Sequence, residues 1–262
     1  MHYPFLVTDP RSGLQYRLTD TGLAELSLAP ISAEWAPGRA VLTHLEVGVS
    51  DSRIVEAGRR VGKIGIDCAF GWPDAFVDFV ARHARGESDD MPGDIAWRRT
   101  LAYRETDRFV HRMTKRWPLS VSTDRLGLTA MRCAGLLASL RADGRLIDRS
   151  GGTGLVAEVY PGATLRVWGW HAAGYRTDPE VRESIIERML REAPGLDLSA
   201  HADRMVGSSD AFDAVVAAFG ARAAQLGRYE PPPTADRERA EQEGWIVLPT
   251  CSLSDLIAAG EG

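Results

Sequence analysis

The segment from Ser209 to Phe219 reads SDAFDAVVAAF, and its large apolar residues recur at the spacing of a buried helix. Asp210 and Asp213 lie one turn apart on this predicted helix, so their carboxylates share a face. Two interpretations are open. The acids complement the helix dipole behind an N-cap at Ser209, or they bind a cation, because paired carboxylates in a low dielectric are costly without one.

The composition is typical of a globular protein, with 262 residues, 44% hydrophobic and 26% charged. No linker divides the chain, so we predict a single domain over residues 1–262. The net charge of −5 differs from the strongly basic balance of many nucleic-acid binders. Three widely spaced cysteines form no disulfide or zinc pattern, which favours a cytoplasmic location. The sequence has neither a secretory leader nor an apolar run of membrane length, so we expect no membrane partner.

The secondary-structure signals change along the chain. Strand patterns dominate the first third, where residues 1–39 are irregular and a turn separates the predicted strands Tyr3–Thr8 and Leu14–Leu18. Helical patterns rich in Arg fill an insertion at about 72–150, and strands alternate with helices after it. This order predicts a mixed α/β domain.

Two further carboxylates occupy strand positions. Asp67 ends the apolar strand that begins at Lys63, and Glu158 lies on the strand Leu155–Val159. Asp67 also suits a turn, and Glu158 also suits an ion pair with one of the many Arg residues. Together with the helix acids, these residues predict a site for a hard cation such as Mg²⁺ or Mn²⁺, because no His or Cys accompanies them.

The chain resembles domain-of-unknown-function family 429 (DUF429), a predicted-nuclease family with a ribonuclease H-like fold. The resemblance runs in order from roughly Ala40 to Pro249 and rests on Ile64–Phe76 (IGIDCAFGWPDAF), Leu119–Gly127 with Met131–Ala134, Ala157–Pro161, Asp210–Ala214 and Gly244–Pro249. The Asp-x-x-Asp-Ala helix also looks like that of the Holliday-junction resolvases in the same superfamily, where it supplies metal-binding carboxylates.

The resemblance implies a mixed five-stranded sheet flanked by helices, with its first three strands antiparallel. Asp67 would end the fourth strand and Asp213 would face it, both as primary metal ligands. Asp210 would be a second ligand or orient water, and Glu158 would be an accessory acid at the end of the fifth strand.

The chain departs from the family pattern at its N-terminus, where the fold needs an acid on the first strand. Glu25 best fits the position but replaces Asp, whereas Asp9 follows a strand but precedes Pro10 in a turn. An alternative is that no acid stands there, which would leave the centre incomplete.

Basic residues supply candidate phosphate contacts. The segment Trp97–Trp117 interleaves arginines with aromatic residues, a pattern that suits either nucleic-acid binding or a solvated helix face. Arg125 and Arg132 flank the start of the next predicted helix and could contact a phosphate.

These features predict a divalent-metal-dependent nuclease that hydrolyses phosphodiester bonds in DNA or RNA. One alternative is a catalytically incomplete ribonuclease H-like protein that binds nucleic acid or a protein partner. A second alternative is a small-phosphate phosphotransferase on the same fold, although the Gly-rich hairpin that it needs near the first strand is missing from the sequence.

Overall fold

The fold is known from a computed structural model that describes residues 6–8, 15–17, 31–87 and 91–259. Both candidate first-strand acids, Asp9 and Glu25, lie outside the described residues.

The described strands are short. They are β1 (Leu6–Thr8), β2 (Gln15–Arg17), β3 (Ile31–Ala36), β4 (Arg39–Leu45), β5 (Ile64–Ile66), β6 (Val156–Val159), β7 (Leu196–Asp197) and β8 (Ile246–Val247).

Helices make up most of the regular structure. They are α1 (Asp51–Gly58), α2 (Asp74–Ala84), α3 (Ile95–Ala102), α4 (Glu105–Thr114), α5 (Gly127–Ala142), α6 (Pro161–Val167), α7 (Pro179–Glu192), α8 (Ala202–Gly207), α9 (Ser209–Gln225), α10 (Arg237–Glu243) and α11 (Leu253–Ala258).

The described strands form two three-stranded sheets and a hairpin, which confirms a mixed α/β protein. The hairpin pairs β1 with β2, one sheet has the order β3-β4-β7, and the other is the parallel sheet β5-β6-β8. The predicted five-stranded sheet is therefore wrong for the described residues. The physical reason is that no described hydrogen bond joins the antiparallel pair β3–β4 to β5, and the two sheets are connected through helix packing instead.

Helix α9 provides that connection, because it packs against β5, β6 and β8 and also against β3. Its apolar residues are buried, as their helical spacing predicts. The predicted N-cap is wrong by one residue, since Ser208 accepts the hydrogen bond from the Ala211 amide. Ser208 is the residue whose extended backbone turns its hydroxyl toward the first turn.

Two glycines allow α9 to approach the parallel sheet closely. A Cβ on Gly65 in β5 would overlap the carbonyl group of Ala217, and its distance to the carbonyl carbon would be 2.8 Å. A Cβ on Gly220 would lie 2.7 Å from a methyl group of Val159 in β6. The close approach at both positions fixes the distance between α9 and the sheet, and with it the position of the acids on α9.

The four helices α2 to α5 lie between β5 and β6 in the chain, within the Arg-rich insertion. Among the described residues, no helix combines the length and apolar character needed to cross a membrane.

Candidate active site

An open cavity of about 690 Å³ lies at the carboxyl ends of β5 and β6. Because the two strands are parallel neighbours, the residues that follow them meet at the same edge of the sheet. The start of α5, the start of α6, the loop before α7 and the first two turns of α9 supply the other walls. The fold thus joins residues far apart in sequence around one cavity.

Asp67 and Asp213 meet on the floor of this cavity. Asp67 follows β5 directly and Asp213 lies in the second turn of α9. The Nη2 atom of Arg176 lies 3.1 Å from Oδ2 of Asp67 and 3.1 Å from Oδ2 of Asp213. The Tyr175 hydroxyl donates a 2.7 Å hydrogen bond to Oδ1 of Asp213. The predicted pair is therefore assembled, and its two carboxylates converge on one nitrogen atom.

The surroundings of both acids favour the protonated form. Burial raises the pKa of Asp67 to about 6, although Arg176 acts in the opposite direction. Burial and the charge of Asp67 raise the pKa of Asp213 to about 7, against the lowering effects of Arg176 and Tyr175. Acids with raised pKa values that share a cavity mark a candidate functional site, because active sites use burial and neighbouring charges to shift pKa values.

Asp213→Asn should flatten the pH dependence of the stability of the metal-free protein. The folded-state pKa of Asp213 lies above the value of 3.8 for the free side chain, so the native state binds the extra proton between pH 4 and 7. Wild-type stability therefore falls as the pH rises through that interval. The variant lacks this proton and keeps a polar group beside Tyr175. Its gain in the free energy of unfolding over wild type should be about 2 kcal/mol larger at pH 8 than at pH 5.

Denaturant unfolding in the presence of a chelator measures this difference. Asp203→Asn is a matched control, because Asp203 is an exposed acid on α8 and should give no such slope change. Parallel curves for wild type and Asp213→Asn between pH 5 and 8 would contradict the raised pKa.

Asp210 lies one turn before Asp213, is exposed and lines the cavity, so it is available to a ligand there.

Of the two predicted phosphate-binding arginines, only one lines the cavity. Arg125 is exposed and lines the cavity, whereas Arg132 lies outside the cavity lining and pairs with Asp51 at 2.8 Å.

Glu158 lies on β6 beside the cavity, but its carboxylate is held by other groups. Arg104 binds it through two hydrogen bonds of 2.8 and 3.0 Å, and the Phe70 amide donates a third of 3.0 Å. Arg104 also forms an ion pair with Asp107 at 3.0 Å, and all three charged side chains are buried. Of the two interpretations of Glu158, the structure favours the ion pair.

Sequence reasoning missed Arg104, Tyr175 and Arg176. The many Arg residues of the chain predicted that one of them could form an ion pair with Glu158. They did not identify Arg104, the last residue of Ile95–Arg104 (IAWRRTLAYR), as that partner. Tyr175 and Arg176 carried no usable signal, because they lie in a loop 108 or more residues after Asp67. Only the folded chain brings that loop to β5.

No cluster of three or more His, Cys, Asp or Glu residues at metal-holding distances occurs within residues 31–87 and 91–259 or the two short N-terminal strands. The two carboxylates are still of the chemistry that suits a hard cation, because their Oδ2 atoms each lie 3.1 Å from one position, which Nη2 of Arg176 occupies. Contraction to about 2.0–2.6 Å would give the oxygen distances of Mg²⁺ or Ca²⁺ sites.

The comparison with protein families agrees with the motifs around this site. The family model described as "Protein of unknown function (DUF429)" matches residues 28–238, which is most of the chain. The chain belongs to DUF429. No curated protein and no solved structure matches this DUF429 protein. The matched residues include Asp67, Glu158, Asp210 and Asp213, whereas Asp9 and Glu25 precede them.

Proposed function

We propose that this DUF429 protein is a ribonuclease H-like, divalent-metal-dependent nuclease that hydrolyses phosphodiester bonds. One observation carries the proposal. Asp67 and Asp213, which come from a strand end and a helix 146 residues apart in the sequence, point their carboxylates at one position in an open cavity.

The residues divide into ligands and supporting groups. Asp67 and Asp213 would hold Mg²⁺ or Mn²⁺, and Asp210 would supply a further oxygen or orient water from the exposed side of α9. Tyr175 fixes the orientation of Asp213 through its hydrogen bond, so one carboxylate oxygen remains directed into the cavity. Glu158 supports the site indirectly, because its pair with Arg104 holds the carboxyl end of β6.

A bound ion of this kind lowers the pKa of a coordinated water and stabilises charge on a phosphate oxygen. The protein side chains around the ion would bind and orient the substrate. Arg125 and Arg166 on the walls of this open cavity would bind the phosphate group of a phosphodiester.

The test is calorimetric titration of Mn²⁺ into the metal-free wild type and the variants Asp67→Asn and Asp213→Asn. We expect measurable binding by the wild type and an affinity at least about tenfold weaker in each variant, because each substitution removes one charged oxygen ligand. Asp203→Asn, an exposed acid on α8, is the control and should bind Mn²⁺ as the wild type does.

Hydrolysis of single-stranded and duplex DNA and RNA in Mn²⁺ completes the test and identifies the substrate. Cleavage should disappear in both site variants. The metal proposal is wrong if the wild type binds no Mn²⁺, or if both site variants bind it with unchanged affinity.

A specific observation also favours a second function, that of a non-catalytic binding module. Arg176 already forms ion pairs with Asp67 and Asp213, so a structural role can explain why the two acids lie together. A protein of this kind would bind nucleic acid or a partner without Mn²⁺, through the exposed arginines of α3 and α4. Binding of a labelled oligonucleotide that is unaffected by chelator, with no Mn²⁺ binding, would favour this alternative.

A further inference from the structure

The guanidinium of Arg176 stands where the two carboxylates of the site converge. It reaches them from the loop between α6 and α7, and Nη2 contacts both Oδ2 atoms at 3.1 Å. Its Nε atom donates a 3.2 Å hydrogen bond to the Tyr175 hydroxyl, which itself binds Asp213. A cation held by the same two oxygens would need the space that this nitrogen fills.

We propose that Arg176 competes with the metal ion for Asp67 and Asp213 and so limits metal binding at the site. This inference rests on the proposed metal-binding function. A guanidinium carries a single delocalised charge, so a compact divalent ion gains more from the two carboxylates than Arg176 does.

The side chain of Arg176 can move away from the two carboxylates without disturbing the core. It is 56% exposed, whereas the side chain of Asp213 beneath it is 10% exposed. Its release into the cavity would therefore open no core packing. Partly exposed ion pairs are also weak, because water and salt screen them, so a divalent ion can replace this one.

A positioning role for Arg176 predicts the opposite change in metal affinity. If Arg176 only positions the carboxylates, holding two like charges close enough for an ion to bind, then removing it lets them separate and weakens metal binding. The sign of the change in Mn²⁺ affinity therefore separates competition from positioning.

The experiment compares Mn²⁺ titrations of metal-free wild type, Arg176→Gln and Arg166→Gln by calorimetry. Arg166 is the matched control, because it is exposed and lines the same cavity, and no described contact joins it to either carboxylate. Both substitutions remove one positive charge from the cavity. We expect Arg176→Gln to bind Mn²⁺ about twofold to fivefold more tightly than wild type, the range that a partly exposed ion pair contributes, and Arg166→Gln to gain clearly less.

Circular dichroism shows whether Arg176→Gln folds. Mn²⁺ binding by Arg176→Lys is measured in parallel, so that the proposal can be tested even if the Gln variant does not fold. Lysine retains the charge but presents one ammonium in place of the fork that reaches Tyr175 and both acids, so its Mn²⁺ affinity should lie between wild type and Arg176→Gln.

Three results would overturn the inference. Unchanged or weaker Mn²⁺ binding by the Arg176 variants would show positioning in place of competition. An equal gain in Arg166→Gln would show a general effect of cavity charge. If the wild type and all variants fail to bind Mn²⁺, the proposed function fails as well. By contrast, wild-type binding that depends on Asp67 and Asp213 with no gain in the Arg176 variants removes this inference alone.

Discussion

Arg104→Met should lower the free energy of unfolding by about 3–5 kcal/mol, because it leaves two buried carboxylates without their counter-ion. Arg104 forms ion pairs with Glu158 at 2.8 Å and Asp107 at 3.0 Å, and the three side chains are each 4% exposed or less. It also donates a 3.0 Å hydrogen bond to the Glu243 carbonyl. The methionine fills much of the volume but satisfies none of these groups.

The loss should depend on pH. Burial raises the pKa of Glu158 and Arg104 opposes that effect, so removing Arg104 raises this pKa further, with the Phe70 amide as the remaining group that lowers it. The native state of the variant then takes up a proton on Glu158 at acidic pH, which relieves the buried charge. Because a raised folded-state pKa makes stability fall as the pH rises, the loss should be larger at pH 8 than at pH 5.

Denaturant unfolding at pH 5 and pH 8 measures the loss of stability and its pH dependence, and two further variants serve as controls. Arg104→Met combined with Glu158→Gln should recover part of the loss, since the remaining amide carries no charge. Arg53→Met is the exposed control: its 3.1 Å pair with Glu56 involves side chains 50% and 44% exposed, and its loss should stay below about 1 kcal/mol. A similar loss in Arg104→Met would mean that the buried network contributes no more than a surface pair.

Gly65→Ala should lower the free energy of unfolding by about 3 kcal/mol, near the upper end of the cost of overpacking a core. The new Cβ would lie 2.8 Å from the carbonyl carbon of Ala217 and closer still to its oxygen. Both atoms belong to the backbone of α9, so no side-chain rotation relieves the clash and the helix must move. For a protein of this size the melting temperature should fall by about 6–12 °C.

The same displacement should reach the candidate site, because Ala217 lies one turn after Asp213 on α9. We therefore expect Gly65→Ala to weaken Mn²⁺ binding as well. Gly135→Ala on α5 is the matched control, since its Cβ would meet nothing within 4 Å. That substitution should be neutral or stabilising by up to about 1 kcal/mol, because Ala favours the helix. Equal melting temperatures for wild type and Gly65→Ala would show that α9 does not lie on β5 as described.

The local features of the chain were accessible from its sequence. The apolar spacing in SDAFDAVVAAF predicted a buried helix, and α9 spans Ser209–Gln225 with those residues buried. The hydrophobic run before Asp67 predicted a strand ending on a carboxylate, and β5 ends at Ile66. Such predictions succeed because periodicity and turn chemistry act between neighbouring residues. The ordered motifs also identified DUF429, which the family match confirms.

The tertiary structure decided how these pieces meet. Sequence spacing carries no information on strand pairing between distant segments. The single five-stranded sheet that the family resemblance implied is wrong for the described residues, while the α/β class was predicted correctly. The same limit explains why two ion pairs were not predicted: Arg176 lies 109 residues from Asp67, and Arg104 lies 54 residues from Glu158. Glu158 shows the physical reason most clearly. A carboxylate on a buried strand can bind a metal or an arginine, and only its surroundings in the folded chain determine which cation offsets the cost of its burial.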